Sequence, residues 1–310
     1  MVITVTLNPA LDYVLTVPQL ILGSVNRAAT AELQCGGKGL NVSIVLHALG
    51  IENIALGFTA GAMGEILQRK LREQGIVTDF IALAHGETRI NVKLKAQEET
   101  DLNAAGPVVE EEALQALFAK LDVLCAGDIL VLAGTVPQGL PQNLYEIILK
   151  RLAPKHLRVV VDATQDLLAK TLPYHPFLIK PNAFELAELM GIQDLSEAAL
   201  VDAARAAQKL GAQNVLVSMA GDGAFLLDAA GTLHRAAAPL GQAKNSVGAG
   251  DSMVAGFLAG FLATNDFEKA LQMGVAAGSA TAFSHQLATR AEIETLYDKI
   301  TVREKKRSEF

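Results

Sequence analysis

Short apolar runs and amphipathic stretches alternate along this chain. Val2–Leu7, Ile129–Ala133, Val159–Asp162, Phe177–Lys180 and Val215–Ser218 are rich in β-branched residues and bounded by turn formers. Between most of them lie apolar positions at helical period, over Glu111–Leu124, Asn143–Leu152 and Glu197–Leu210. Strands alternating with helices predict a mainly parallel sheet covered on both faces. The runs "ILVLA" and "VVV" are apolar on both sides, as strands of such a sheet must be. After Gly250 the pattern is helical to about Tyr297.

Two regions break the alternation. Tyr13–Val17 with Ala28–Leu33, and Thr88–Lys95 with its neighbours, read as short strands with polar residues at every second position. Neither is followed at once by a crossover helix. They predict a small second sheet over one edge of the main body, from segments near 12–34 and 87–105. A lid and a plain edge extension both fit that pattern. Residues 1–310 otherwise read as a single domain, without linker composition or repeats, ending in the charged tail "REKKRSEF", read as a solvated end.

Composition narrows the function classes. Hydrophobic residues make up 51% and charged residues 19%, which excludes a disordered chain. The formal charge of −7 argues against a nucleic-acid partner or a membrane surface. Cys35 and Cys125 make no disulfide framework, and "MVITVTLNPALDY" lacks a signal core, so the expectation is a soluble, cytoplasmic protein. Met253–Ala263 is apolar but too short to span a bilayer, and reads as a buried helix.

Several loops could carry chemistry. "VGAGD" (Val247–Asp251) sits where a loop becomes a helix, so free N–H groups there would bind an anion. Asp251 in the first turn could equally serve only the helix dipole. "CGGKGLNVS" (Cys35–Ser43) also opens an apolar helix, with Lys38 and Asn41 as polar groups. "TLNPALD" ends the first strand and brings Asp12 to the carboxyl edge where open sheets bind ligands. "IKPNAFEL" offers either a capping box or an Asn182/Glu185 pair suited to hydrated Mg²⁺. "VSMAGDGAFLL" is a hairpin turn or a glycine loop under a nucleotide. "GETRINVKL" puts Arg89, Asn91 and Lys93 on one strand face, which suits phosphate or simply solvent.

Taken in order, the GGKG-x-N helix, the KPN-x-x-E strand end, the S-x-x-G-x-G-A loop and the VGAGDS helix resemble the ribokinase/PfkB family of sugar kinases, over nearly the whole chain. "TLNPALD", "TRINVKL" and "AGTVPQGLP" are similar to its phosphosugar-kinase branch. One departure is Ala133-Gly134-Thr135, where Ser-Gly-Ser is frequent in the family; Thr135 keeps a hydroxyl. The resemblance implies a three-layer α/β/α sandwich with a β-sheet lid, and a homodimer formed by packing two lids together. It implies Asp251 as catalytic base, with the amides of Val247, Gly248, Ala249 and Gly250 as an anion hole. For the acceptor sugar it implies Asp12, Gly36, Gly37 and Asn41, with Lys38, Arg89 and Arg27 toward its phosphate. ATP would lie across Asn182, Ser218, Gly221, Gly223, Val247 and Gly248, with Mg²⁺ near Asn182 and, through water, Glu185. The expected reaction is phosphorylation of the 6-hydroxyl of fructose 1-phosphate. The rivals are tagatose 6-phosphate as acceptor and a regulatory protein that binds sugar phosphate and nucleotide without transfer.

Overall fold

The computed structural model describes residues 1–245 and 247–305. Strands β1 (Val2–Thr6), β2 (Ala10–Thr16) and β3 (Thr30–Gly36) lead into helix α1 (Lys38–Ala48). Then come β4 (Ile54–Ala60), α2 (Gly61–Glu73), β5 (Ile81–Leu83), β6 (Arg89–Lys95), β7 (Thr100–Asn103) and α3 (Glu111–Leu121). The middle of the chain runs β8 (Ile129–Ala133), α4 (Leu144–Leu152), β9 (Arg158–Asp162), α5 (Gln165–Ala169), β10 (Leu178–Ile179), α6 (Ala183–Met190) and α7 (Glu197–Leu210). It closes with β11 (Asn214–Ser218), β12 (Ala224–Leu227), β13 (Leu233–Ala236), α8 (Ala249–Thr264), α9 (Phe267–Phe283), α10 (Arg290–Tyr297) and β14 (Val302–Lys305).

Ten strands form the main sheet in the order β14-β13-β12-β11-β10-β9-β8-β1-β4-β5. It is parallel from β11 to β5 and antiparallel over β12, β13 and β14. Alternation along each strand divides the core between its faces. Ile3, Val5, Leu130, Leu132, Val159 and Val161 join the layer of α3, α4 and α7. Val2, Ile129, Val131 and Val160 join the layer of α1, α8 and α9. The three-layer expectation therefore holds, and the apolar stretch after Gly250 is a buried helix. No described helix is long and apolar enough to cross a membrane.

The second sheet is also present, in the order β3-β2-β6-β7. β2 and β6 pair in parallel, setting Asp12 beside Asn91 and Val14 beside Lys93. One face of this sheet is polar (Asp12, Gln34, Asn91, Lys93, Asp101) and covers the main sheet's carboxyl edge. The other carries Tyr13, Leu15, Val92 and Leu102.

In the described part of the tail Arg303 and Glu304 are exposed, as a solvated end requires, and the backbone there also forms an edge strand. Val302–Lys305 pairs antiparallel with β13, bringing Val302 opposite Ala236, and Val302 packs against the apolar layer of α8 and α9. Residues 306–310 of that tail lie outside the described residues.

Candidate active site

A cleft of about 520 Å³ opens where β1, β8, β9, β10 and β11 end, beneath the polar face of the small sheet. Thr6, Ala133, Asp162, Lys180 and Ser218 line it from those strand ends. Asn8, Asp12, Arg89, Asn91 and Lys93 reach it from the small sheet and its entry. This is the carboxyl edge at which open α/β sheets bind ligands. Thr6 Oγ1, Asn8 Oδ1, Asn91 Oδ1 and Asp162 Oδ2 are buried without a hydrogen-bond partner, and all four residues line this cleft. Buried polar atoms are rarely left unpaired. Their concentration here marks a place built to receive a polar ligand.

At one end stands the start of α8. Gly248 occupies its N-cap position with φ 78°, in the left-handed region that glycine adopts without strain, and contributes no side-chain cap. The first N–H groups of the helix are thus left for an anion. Asp251, in that first turn, is buried and accepts a hydrogen bond from Asn41 Nδ2 at 2.8 Å. Burial, with the charge of Asp162 next, pushes its carboxyl up to about 7. Asn41, Lys38 and Lys180 limit that rise.

Below this helix start, Lys38 Nζ donates to Asp162 Oδ1 at 3.0 Å, and Lys180 Nζ lies 3.5 Å from the same oxygen. Burial pulls the Lys38 ammonium down, but Asp162, Asp251 and Glu185 outweigh it and hold its pKa above the usual lysine value. Burial likewise pushes the Asp162 carboxyl up, and Lys180 and Lys38 reverse it, keeping the group ionised.

At the small-sheet end, Asn91 Nδ2 donates to Asp12 Oδ1 at 2.8 Å, and Asp12 is buried. Gly36 explains how that carboxylate fits: a Cβ there would stand 2.5 Å from Asp12 Oδ2. Arg89 donates through Nε to Asn8 O and through Nη1 to Ala104 O, each at 3.2 Å. Lys93 pairs with Asp101 at 2.7 Å.

Asn182 and Glu185 form the capping box of α6: Glu185 N donates to Asn182 Oδ1 and Asn182 N to Glu185 Oε2, both at 2.8 Å. The structural reading of "IKPNAFEL" is therefore realised, and both residues still line the cleft. Asn182 spends its amide oxygen on the cap, leaving its NH₂ group as a donor. Glu185 keeps Oε1 outside the box, where a hydrated cation could use it.

The model of the pfkB family of carbohydrate kinases matches residues 5–294. The chain belongs to this family. It is 42% identical over 302 residues to the 1-phosphofructokinase of Bacillus subtilis, covering 97% of this chain and 99% of that one. It is 34% identical to the D-tagatose-1-phosphate kinase of Bacillus licheniformis, with coverage of 97% and 99%. Among solved structures, phosphofructokinase-2 of Escherichia coli superposes at 27% identity, covering 96% of this chain and 98% of that one. Its complex with substrates and products gives a TM-score of 0.91, and its tetrameric inhibited form 0.88.

With the pfkB family established, the predicted site residues divide by position. Asp12, Gly37, Lys38, Asn41, Arg89, Asn182, Glu185, Ser218, Val247, Gly248, Gly250 and Asp251 line the one cleft. Gly36, Ala249, Gly221, Gly223 and Arg27 do not. Gly36 lies just behind Asp12, and Ala249 is the first residue of α8. Gly223 packs against the β13 backbone at Ala236, and Arg27 is exposed on the loop between β2 and β3. Sequence reasoning missed Asp162, Lys180, Thr6 and Asn8. Each stands at or just beyond a strand's carboxyl end, and that position was the available signal.

Proposed function

We propose that this chain transfers the terminal phosphoryl group of ATP to the 6-hydroxyl of fructose 1-phosphate, yielding fructose 1,6-bisphosphate. The observation that carries this reading is one cleft holding a buried carboxylate beside an uncapped helix start, with Arg89 and Lys93 on the lid above. A general base needs an acid whose pKa lies near the working pH, and Asp251 meets that requirement. Asn41 orients its carboxylate so that it can accept the proton of the sugar hydroxyl. The amides from Gly248 onward, with Lys180 beneath, meet the charge that develops on the transferring group.

Asp12 is paired with Asn91, so the free oxygens of that pair suit ring hydroxyls. Arg89 suits the phosphate that the sugar already carries. Asn182 NH₂ and Ser218 are disposed toward the nucleotide phosphates. Glu185 Oε1 is placed for a hydrated Mg²⁺, which when bound would neutralise phosphate charge. The reading carries a cytoplasmic location with it, where ATP is available.

The test measures ADP release with Mg²⁺ and ATP against fructose 1-phosphate, tagatose 1-phosphate, tagatose 6-phosphate and fructose 6-phosphate. A kcat/KM preference for fructose 1-phosphate is expected. A preference for tagatose 1-phosphate would move the acceptor to the sugar named in the Bacillus licheniformis relative. Tight binding without turnover would leave a regulatory binding protein.

The lid's outer face further supports a homodimer. Tyr13, Ile90 and Leu102 are 38%, 39% and 58% exposed on a small sheet whose neighbouring outward residues are apolar. An exposed apolar sheet face of this kind marks an interaction surface. Sedimentation at micromolar concentration is expected to give a dimer, and Leu102→Asp a monomer. A native monomer, or an Asp variant that still dimerises, would place the interface elsewhere.

A further inference from the structure

Asp162 ends β9 on the floor of the cleft, with its side chain fully buried. Its Oδ1 takes both ammonium groups, Lys38 at 3.0 Å and Lys180 at 3.5 Å, while Oδ2 is buried and unpartnered. Lys38 opens α1, and a Cβ on Gly250 would lie 3.2 Å from Lys180 Nζ. One carboxylate therefore ties together the starts of α1 and α8, which face the cleft without a side-chain cap, unlike the capped start of α6 beside them. A single lysine would neutralise a buried aspartate, and ion burial is costly without compensation. The second lysine leaves net positive charge beneath the amides of α8.

We propose that Asp162 is a positioning residue for phosphoryl transfer: it fixes Lys38 and Lys180 under the start of α8 and sets the charge that Asp251 meets. This rests on the kinase reading given above. The groups acting on Asp251 are Asn41 and Lys38 from α1, Asp162 from β9 and Lys180 beyond β10, while Glu185 from α6 acts on Lys38. With Asp162 ionised, the lysines stabilise incoming phosphate without stripping Asp251 of its basicity. With Asp162 neutral, two uncompensated ammonium groups would face Asp251 and weaken it as a base.

The test compares the native protein with Asp162→Asn and Asp162→Glu. The carboxyl infrared band that Asp251→Asn removes reports the protonation of Asp251 without turnover. Its pH midpoint is expected to fall by about one unit or more in Asp162→Asn and to hold within about half a unit in Asp162→Glu. With ATP, Mg²⁺ and fructose 1-phosphate, kcat is expected to fall about 100-fold in both, because Glu keeps the charge but displaces it by a methylene. An unmoved midpoint in Asp162→Asn, or native kcat in Asp162→Glu, overturns the proposal. If Asp162→Asn lacks a cooperative thermal transition, Asp162→Glu decides: lost kcat with an unmoved midpoint supports it, and native kcat overturns it. A native protein that never turns over would instead overturn the kinase reading, and the infrared midpoints distinguish that failure from failure of the proposal.

Discussion

Asp251→Asn is expected to lower kcat about 10²- to 10⁴-fold, with little change in KM for either substrate. Asn keeps an oxygen to accept from Asn41 Nδ2 and nearly the same volume, so the start of α8 should stand unaltered. What is lost is the group that takes the hydroxyl proton. A variant that kept more than a tenth of native kcat would remove Asp251 as the base. The pH profile provides a second reading. Since burial raises its pKa to about 7, the native kcat/KM should climb through that region as Asp251 ionises. That limb should be absent from the residual activity of the Asn variant.

Stability is expected to move the other way. A carboxyl whose folded pKa lies above its unfolded value stabilises the native state fully only below the unfolded pKa, and that contribution is lost as pH rises through the folded one. For Asp251 the window runs from about 3.8 to about 7. Each unit of such a shift corresponds to about 1.4 kcal/mol. Above pH 7 the Asn variant should therefore melt at or above the native temperature, while at pH 4 the two should converge. A variant less stable than native at pH 8 would mean that the ionised carboxylate is held by interactions that outweigh its burial.

The sequence made the layers plain because buried parallel strands leave a continuous apolar signature. β8 and α7 were found with the bounds they have in the structure. The small sheet was found because β6 alternates polar and apolar residues over its whole length. β14 was missed because its "VREK" stretch pairs through its backbone, while Arg303 and Glu304 stay exposed as in a solvated end. The same division runs through the site. Glycine loops and the capping box of α6 are local in sequence and could be read there. The Asp162–Lys38 pair spans 124 positions, and the Asn41–Asp251 bond 210. Neither pairing has a local pattern. They arise when the sheet order brings β9, β10, α1 and α8 to one edge, so knowing that order was the missing step.

Arg89→Gln is expected to raise KM for fructose 1-phosphate about 10- to 100-fold while changing KM for ATP little. Hydrogen bonds to charged groups are worth about 1.5–3 kcal/mol each, and roughly 1.4 kcal/mol is tenfold. The guanidinium has five donors, of which two are given to Asn8 O and Ala104 O. The rest form a fork matched to phosphate. Burial lowers its pKa, partly countered by Asp12, but far too little to discharge an arginine. Lys93 is already paired with Asp101, so Lys93→Met should cost less.

Arg89 also ties the entry of β2 to the exit of β7 through those two carbonyls, and a loosened lid would lower kcat as well. Unphosphorylated fructose separates the two effects. If Arg89 recognises the phosphate, the ratio of kcat/KM for fructose 1-phosphate to that for fructose should collapse in Arg89→Gln. If it only holds the lid, both substrates should lose in proportion and the ratio should stand. A rise confined to KM for ATP would instead move Arg89 to the nucleotide, leaving Lys93 as the small-sheet cation for the acceptor's phosphate.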